Sequence, residues 1–189
     1  MSVLCPKDRK TSLNSGSLLT GDLPTQCCPD CEGLWITAED YEAWQEQQTP
    51  IEPSPAQLAD RVEVHFKPSP YDAKAALCPA CNHYLARAKV NWSRPFFVER
   101  CPNCGGIWCD RGEWQILERL GLHRTIPVLF TQEWQAQVRR HETAEQEKQA
   151  TIDKLGPEVA AQIFALAEVL EDHPNGDFGV AYLMRRFEQ

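Results

Sequence analysis

From its sequence, the chain is expected to be a small α+β protein in which two cysteine-rich modules, each a β-hairpin plus a helix, precede a C-terminal α-helical hairpin. The expectation has three grounds. The chain repeats itself, the cysteines of each repeat are regularly spaced, and apolar residues of the last third recur at helical intervals. With 189 residues, the chain suits one or two small domains and is long enough to bury a modest core.

The repeat becomes visible when the chain is laid over itself with a shift of 73 residues. Seven identities within the cysteine motifs then fall at one offset without a gap. They pair Cys5 with Cys78, Pro6 with Pro79, Cys28 with Cys101, Pro29 with Pro102, Cys31 with Cys104, Gly33 with Gly106 and Trp35 with Trp108. So many matches at a single offset indicate an internal duplication.

The cysteine spacing within each copy is typical of a zinc ribbon. Each copy reads C-P-x-x, then 19 residues, then C-P-x-C-x-G-x-W, so two short cysteine loops flank a segment long enough for a β-hairpin. The second copy has all four candidate ligands, which are Cys78, Cys81, Cys101 and Cys104. Tight loops after the first and third ligands need a backbone that tolerates positive φ, and Asn82 and Gly105 stand at those positions.

Zn²⁺ suits this ligand set because four soft thiolates close a tetrahedral site around a d¹⁰ ion and leave no place for water. Such a site is structural. Zinc binding contributes on the order of 10–16 kcal/mol in apparent terms, which matters because a unit of roughly 45 residues buries too little apolar surface to fold securely alone.

The first copy departs from this pattern. Its second ligand position holds Asp8 in place of cysteine, and Glu32 replaces the first glycine of the Cys-Gly-Gly run. A carboxylate can ligate zinc through oxygen, so Cys5, Asp8, Cys28 and Cys31 form a second candidate site. The alternative is a metal-free ribbon that is held by packing, and the sequence does not decide between the two.

A helix start follows each ribbon. The segments 37–40 and 110–113 both resemble a capping box, in which the first side chain accepts from the N3 amide and the acidic side chain reaches back. Beyond them the apolar residues fall on one helix face in each copy. These are Tyr41 and Trp44 in the first copy, and Trp114, Leu117 and Leu120 in the second.

The run from Cys78-Pro-Ala-Cys81 through Cys101-Pro-Asn-Cys104-Gly-Gly-Ile-Trp108 to Asp110-Arg-Gly112-Glu113 resembles the bacterial TFIIB-type zinc-ribbon family. That family is named for its similarity to the zinc ribbon of transcription factor IIB. The resemblance covers residues 76–121 strongly and 3–48 weakly, and it does not extend to the C-terminal third. It implies a tandem zinc-ribbon protein with a degenerate first copy, and it implies no settled biochemical activity.

Four segments are expected. Residues 1–48 form the degenerate ribbon with its helix, 49–73 a proline-rich linker, 74–124 the intact ribbon with its helix, and 125–189 a helical segment. In the last segment, Gly156-Pro157 ends one helix and starts another, along which Val159, Ile163 and Leu166 recur at helical intervals. A final helix, capped by Asp177, completes the hairpin.

The pattern favours a non-enzymatic zinc-binding protein whose ribbons and helical tail form an adaptor or assembly module for a protein partner. Nucleic-acid binding is the alternative. The segment 74–124 carries a net charge of +4 in a chain of net charge −8, and its hairpin interleaves cationic and aromatic side chains. These are Lys89, Trp92, Arg94, Phe96, Phe97 and Arg100. Which protein partner, which pathway and which oligomeric state apply cannot be deduced from the sequence.

An enzyme is less expected. Thiol redox chemistry would need one CxxC pair in a βαβ context, whereas these pairs are coupled across 23 residues, and hydrolysis would need an open zinc, which only the first site could offer. Cys27 and Cys109 are interpreted as small hydrophobes without chemistry. No secretory signal and no apolar run of about 18 residues is present, so we expect a cytoplasmic protein without membrane insertion.

Overall fold

A computed structural model describes residues 3–18, 22–49, 67–90 and 95–187. The chain divides into two compact units, Met1–His141 and Glu142–Gln189. Within the described ranges the first unit contains an antiparallel sheet of six strands. They are β1 (Asn14–Leu18), β2 (Leu23–Cys27), β3 (Leu34–Ile36), β4 (Ala86–Val90), β5 (Phe96–Arg100) and β6 (Ile107–Cys109). The small α+β class is therefore confirmed.

Six helices accompany the sheet in the described ranges. They are α1 (Ala38–Gln45), α2 (Glu113–Arg119), α3 (Ile126–Leu129), α4 (Gln132–Leu155), α5 (Pro157–Glu171) and α6 (Gly176–Phe187). The first helix follows β3 and the second follows β6, so each half of the duplicated sequence carries its helix in the same place. The interruption at Gly156 and Pro157 between α4 and α5 is as expected, because proline at the first helical position starts a helix and cannot continue one.

The strand order β1-β2-β3-β6-β5-β4 joins the two repeats in one sheet. Strands β3 and β6 pair antiparallel with Trp35 opposite Trp108, flanked by the pairs Leu34–Cys109 and Ile36–Ile107. Because residues 35 and 108 are equivalent in the repeat, this register places a local two-fold axis at the pairing of β3 with β6, which is called the joint below. Such a joint resembles an isologous dimer interface, in which each half offers the same patch to the other.

The glycine and the tryptophan that the two repeats share meet across this joint. A Cβ on Gly33 would overlap the ring of Trp108, and a Cβ on Gly106 would overlap the ring of Trp35. Both tryptophans are buried. The G-x-W motif therefore packs the two halves together, a role that spacing within one copy does not reveal.

We expect Gly106→Ala to lower the stability of the zinc-loaded protein by about 1–3 kcal/mol, because the added methyl group forces the buried Trp35 ring out of its place. Gly16→Ala is the matched control, since its nearest neighbour would be Thr25 Oγ1 at 3.8 Å. Urea unfolding of both variants measures the difference. Equal midpoints for the two variants would contradict the role assigned to the joint.

The apolar core of the first unit lies between the sheet and its helices. The predicted apolar faces of α1 and α2 are confirmed as buried, and they meet where the ring of Trp44 packs edge-on against Trp114 at 5.8 Å between centroids. The Tyr41 hydroxyl donates to the His123 carbonyl (2.9 Å) and accepts from Ile126 N–H (3.0 Å). This buried hydroxyl thus ties the chain that follows α2 to the first helix.

Each predicted capping box is only half formed. Thr37 accepts from the Asp40 amide (3.1 Å) as expected, but the shorter Asp40 carboxylate accepts from the Thr37 hydroxyl and does not reach the backbone. In the second copy the Glu113 carboxylate does reach back and accepts a hydrogen bond from Asp110 N–H (2.7 Å). The Asp110 carboxylate, however, accepts from the Trp108 indole and caps nothing. The N-cap of α2 is instead Gly112, at φ 82°.

In the second unit, most residues of α5 and α6 are exposed. Of the 27 residues in these two helices only Ala160 and Gly176 are buried. Asp177, expected as the cap of the last helix, lies inside its first turn.

Among the described helices, none combines the length and apolar character that a bilayer-spanning segment needs.

Candidate metal centres

The four cysteines of the second repeat converge on one point. Their Sγ atoms all lie within 4.8 Å of one another, with 3.5 Å between Cys78 and Cys104 and 3.4 Å between Cys81 and Cys101. A tetrahedral zinc with Zn–S bonds of about 2.3 Å places its sulfurs about 3.8 Å apart, and a disulfide would require about 2.05 Å. The cysteines are free thiols, so the arrangement fits Zn²⁺.

The backbone of each cysteine loop explains why the sulfurs converge. Asn82 N–H donates to the Cys78 carbonyl (2.9 Å) and Gly105 N–H donates to the Cys101 carbonyl (3.0 Å). Both turns close through positive φ, at 60° for Asn82 and 75° for Gly105, as the sequence predicts. The Cys104 amide also points at the Cys101 sulfur (3.5 Å), an orientation that favours a thiolate there.

The pKa values show that one ligand is readily deprotonated before metal binds. A hydrogen bond from the His83 backbone lowers the pKa of Cys81 to about 6. Burial raises the pKa of Cys78 and of Cys104. A divalent ion would supply the positive charge that these desolvated thiolates need, since a coordinating metal deprotonates a thiol outright.

Three cysteines of the first repeat form a second cluster. The Sγ atoms of Cys5, Cys28 and Cys31 lie within 4.8 Å of one another, and Cys5 and Cys31 are 3.7 Å apart. The loops have the same turn as in the other cluster, with φ 61° at Arg9 and 58° at Glu32. A hydrogen bond from Cys31 lowers the pKa of Cys5 to about 6. Three thiolates in this geometry also fit Zn²⁺ as a partial ligand set.

Asp8, the fourth predicted ligand, lies outside the group of three sulfurs. Its carboxylate accepts from Lys10 N–H (2.8 Å), from Thr11 N–H (3.1 Å) and from the Thr11 hydroxyl. The bond from that hydroxyl is the main cause of its lowered pKa. An aspartate at this position closes the turn with its own side chain, which competes with metal ligation. The structure thus brings three of the four predicted ligands together, and the Asp8 carboxylate, although it also interacts with the Cys5 thiol, is not part of that group.

We expect the two centres to differ in affinity and Asp8→Cys to remove the difference. A competing chelator should take one zinc from the wild-type chain well before the other, because the first cluster lacks a fourth thiolate. The variant should bind two zinc ions with similar affinity, and its cobalt-substituted form should show twice the thiolate charge-transfer absorption of a single four-thiolate site. Asp30→Cys is the control. One tightly held metal per variant chain would contradict this assignment.

A buried ionic cluster links the two repeats, and nothing in the spacing pointed to it. Lys7 stands inside the first cysteine loop, yet it is only 2% exposed. Its ammonium donates to Glu99 (2.7 Å) on β5 and to the Tyr71 carbonyl (3.3 Å), and it lies 3.5 Å from an Asp110 oxygen. The equivalent residue of the second copy is an alanine at position 80, so the repeat does not share this lysine. Nothing in the sequence therefore indicated that Lys7 is buried.

The acidic side of this cluster is strongly desolvated. Burial raises the pKa of Glu99 to about 7, with Lys7 opposing the shift. Burial also raises the pKa of Glu113 well above its usual range, and one oxygen each from Asp72, Asp110 and Glu113 lie within 4.8 Å of one another. The Lys7 ammonium is the positive charge that compensates Glu99 and Asp110.

Comparison with known proteins agrees with the geometry of the four-cysteine centre. Residues 77–119 match the model of the family described as Transcription factor zinc-finger. The matched stretch holds all four converging cysteines, and it is named the zinc ribbon below. Searches of curated proteins and of solved structures find no match to the chain.

Two of the six side chains expected to contact nucleic acid, Phe96 and Phe97, are engaged in packing within the fold. Phe96 is fully buried, and the Arg87 guanidinium covers the ring of Phe97 at 4.0 Å from its centroid. Trp92 and Arg94 lie outside the described residues. The face of Phe96 is therefore unavailable for base stacking, and that of Phe97 is covered on one side by Arg87.

The remaining two cysteines lie apart from both clusters. Cys109 is completely buried in the core of the first unit, and burial raises its pKa well above the ordinary value. Cys27 is half-buried, and burial again raises its pKa. Raised pKa values disfavour the nucleophilic thiolate, so both side chains act as small apolar groups.

Proposed function

We propose that the protein is a non-enzymatic, zinc-stabilised scaffold in which tandem ribbons support a helical tail that binds protein partners. The observation that carries the proposal is the exposure of α5 and α6. Of their 27 residues only Ala160 and Gly176 are buried, although the helices contain ten large apolar side chains that are exposed. Apolar helix faces of this extent are typical of docking surfaces.

The tandem part of the proposal is supported by the symmetry of the sheet. The same positive-φ turn closes all four cysteine loops, and the joint is centred on equivalent tryptophans. The Arg9 guanidinium also donates to the Asn82 amide oxygen (3.1 Å), which joins equivalent residues of the first loops across the axis. Two ribbons that fold against each other would give a rigid platform of twice the size of one.

The non-enzymatic part is supported by the four-cysteine centre and by the buried polar groups. Four thiolates around one zinc leave no position for a reacting water, whereas a zinc at the three-cysteine cluster would keep one position open. The buried lysine and carboxylates are engaged with one another, and neither Cys27 nor Cys109 has a depressed pKa. These groups lack the nucleophile–base pairing that acyl or phosphoryl transfer needs.

The proposal is tested with the full zinc-loaded chain and a pair of single substitutions on α5. Ile163→Glu adds a charge at an exposed apolar position, and Gln162→Glu adds the same charge at an exposed polar neighbour. Chemical cross-linking of the chain to the proteins that bind it, followed by mass spectrometry, should place the cross-links on α5 and α6. Ile163→Glu should abolish these cross-links, and Gln162→Glu should retain them. Salt-sensitive binding of short DNA or RNA, unchanged by Ile163→Glu, would replace the proposal with the nucleic-acid alternative.

A further inference from the structure

The exposed apolar side chains of α5 and α6 are together called the hairpin face. They do not all lie on one side of α6, because Phe178 and Phe187 are nine residues apart and so point to opposite sides of that helix. Its members share large apolar side chains that are 38–85% exposed. They are Val159, Ile163, Leu166, Val169, Phe178, Val180, Tyr182, Leu183, Met184 and Phe187. A surface of this composition leaves the hairpin without a core of its own.

The exposed apolar area of the two helices is of the order that a protein interface uses. Summed over all their sides, these side chains present on the order of 1,000 Å² of surface, of which only the part facing a second copy can be buried, compared with the roughly 800 Å² that each partner buries in a standard complex. Helices of 15 and 12 residues are about 22 and 18 Å long, which suits bundle packing. Two such hairpins together provide the four helices of a bundle.

The charges at the two ends of the hairpin identify the occupant. The end at the α5–α6 connection is acidic, with Glu168, Glu171, Asp172 and Asp177. At the other end, the last turn of α6 carries Arg185 and Arg186, and Glu158 in the first turn of α5 offsets one of these two positive charges. A second hairpin placed antiparallel brings each acidic end beside the basic end of the other copy, whereas a parallel arrangement sets like charges together. The surface is thus complementary to itself under a two-fold rotation.

We propose that the hairpin face binds the hairpin face of a second copy of this chain, and that α5 and α6 of the two copies form an antiparallel four-helix bundle. This inference rests on the proposed function and specifies the partner of the helical tail. Four acidic residues at one end oppose a lipid surface as the occupant, because anionic headgroups would repel them.

Sedimentation equilibrium of the full zinc-loaded chain provides the first test. We expect a dimer at micromolar concentration, and Leu166→Glu should weaken its association by roughly 30-fold or more because it buries a charge in the bundle. Gln162→Glu, at an exposed polar position of the same helix, should leave the dimer unchanged. Helical ellipticity, measured alongside, separates weakened association from loss of the helices. A wild-type chain that stays monomeric into the hundreds of micromolar would overturn the inference.

A charge exchange tests the antiparallel arrangement. Arg185→Glu with Arg186→Glu makes both ends of the hairpin acidic, whereas replacing Glu168, Glu171, Asp172 and Asp177 together by lysine makes both ends basic. Each variant alone should be predominantly monomeric, and an equimolar mixture should form heterodimers in which both end contacts pair opposite charges. Homodimers of both variants, or a mixture that remains monomeric, would overturn the arrangement.

The outcomes also separate this inference from the function on which it rests. If the wild-type chain is monomeric but Ile163→Glu abolishes cross-links to a different protein, self-association is overturned and the scaffold role stands. If the chain dimerises and the dimer does not respond to Leu166→Glu, the hairpin face is not the interface. Binding of the monomer to phosphatidylcholine–phosphatidylserine vesicles that Leu166→Glu abolishes would overturn both.

Discussion

Removal of zinc from the four-cysteine centre is expected to unfold the whole six-stranded sheet rather than the zinc ribbon alone. Zinc at such a site contributes on the order of 10–16 kcal/mol in apparent terms, which equals or exceeds the roughly 5–15 kcal/mol of a typical domain. Strand β6 of the zinc ribbon pairs with β3 of the first half. Loss of the ribbon therefore removes the strand to which the first half is hydrogen-bonded. Both halves should therefore lose their structure together.

Near-ultraviolet circular dichroism of Cys101→Ser with zinc present measures this effect, because the variant disables only the four-cysteine centre and Trp35 and Trp108 report on the joint. Full chelation, which empties both centres, should give the same loss. Cys27→Ser is the control, since this half-buried thiol lies outside both clusters. Amide resonances of β1 and β2 that keep their dispersion after full chelation would show that the first half folds alone.

Replacement of Lys7 is expected to have the next largest effect. Lys7→Met leaves the carboxylate of Glu99, itself 1% exposed, without its buried cation, and breaking one side of a buried ion pair costs about 3–5 kcal/mol. Glu99 is on β5, two residues before the ligand Cys101, whereas Lys7 lies in the first cysteine loop of the other repeat. The variant should therefore weaken the connection between the repeats while both sets of metal ligands remain intact.

Urea unfolding with zinc present measures the loss, and Lys10→Met, at an exposed position of the same loop, should change stability by less than about 0.5 kcal/mol. The double variant Lys7→Met with Glu99→Leu should recover most of the lost stability, because an apolar pair replaces a buried ion pair at little cost. Equal stability of Lys7→Met and Lys10→Met would show that the ion pair contributes nothing.

The metal centre could be predicted from sequence because its determinants are local. The four-cysteine centre needs four sulfurs at fixed spacing and two turns with positive φ, and each of these is a property of a few consecutive residues. The same locality fails at Asp8. Whether its carboxylate turns toward the sulfurs or toward Thr11 depends on competing hydrogen bonds, which the spacing of ligand positions does not encode.

The sequence predicted the repeat, the four cysteines that converge in its second copy, the buried helix faces and the helix break at Gly156. Only the folded chain shows that both halves share one sheet, that Gly33 and Gly106 make room for the tryptophans of the opposite half, and that Lys7 is buried among carboxylates. The difference lies in the range of the interactions. Turns and ligand loops form between neighbours along the chain, whereas strand pairing, ring packing and charge burial depend on residues far apart in the sequence, such as Lys7 and Glu99.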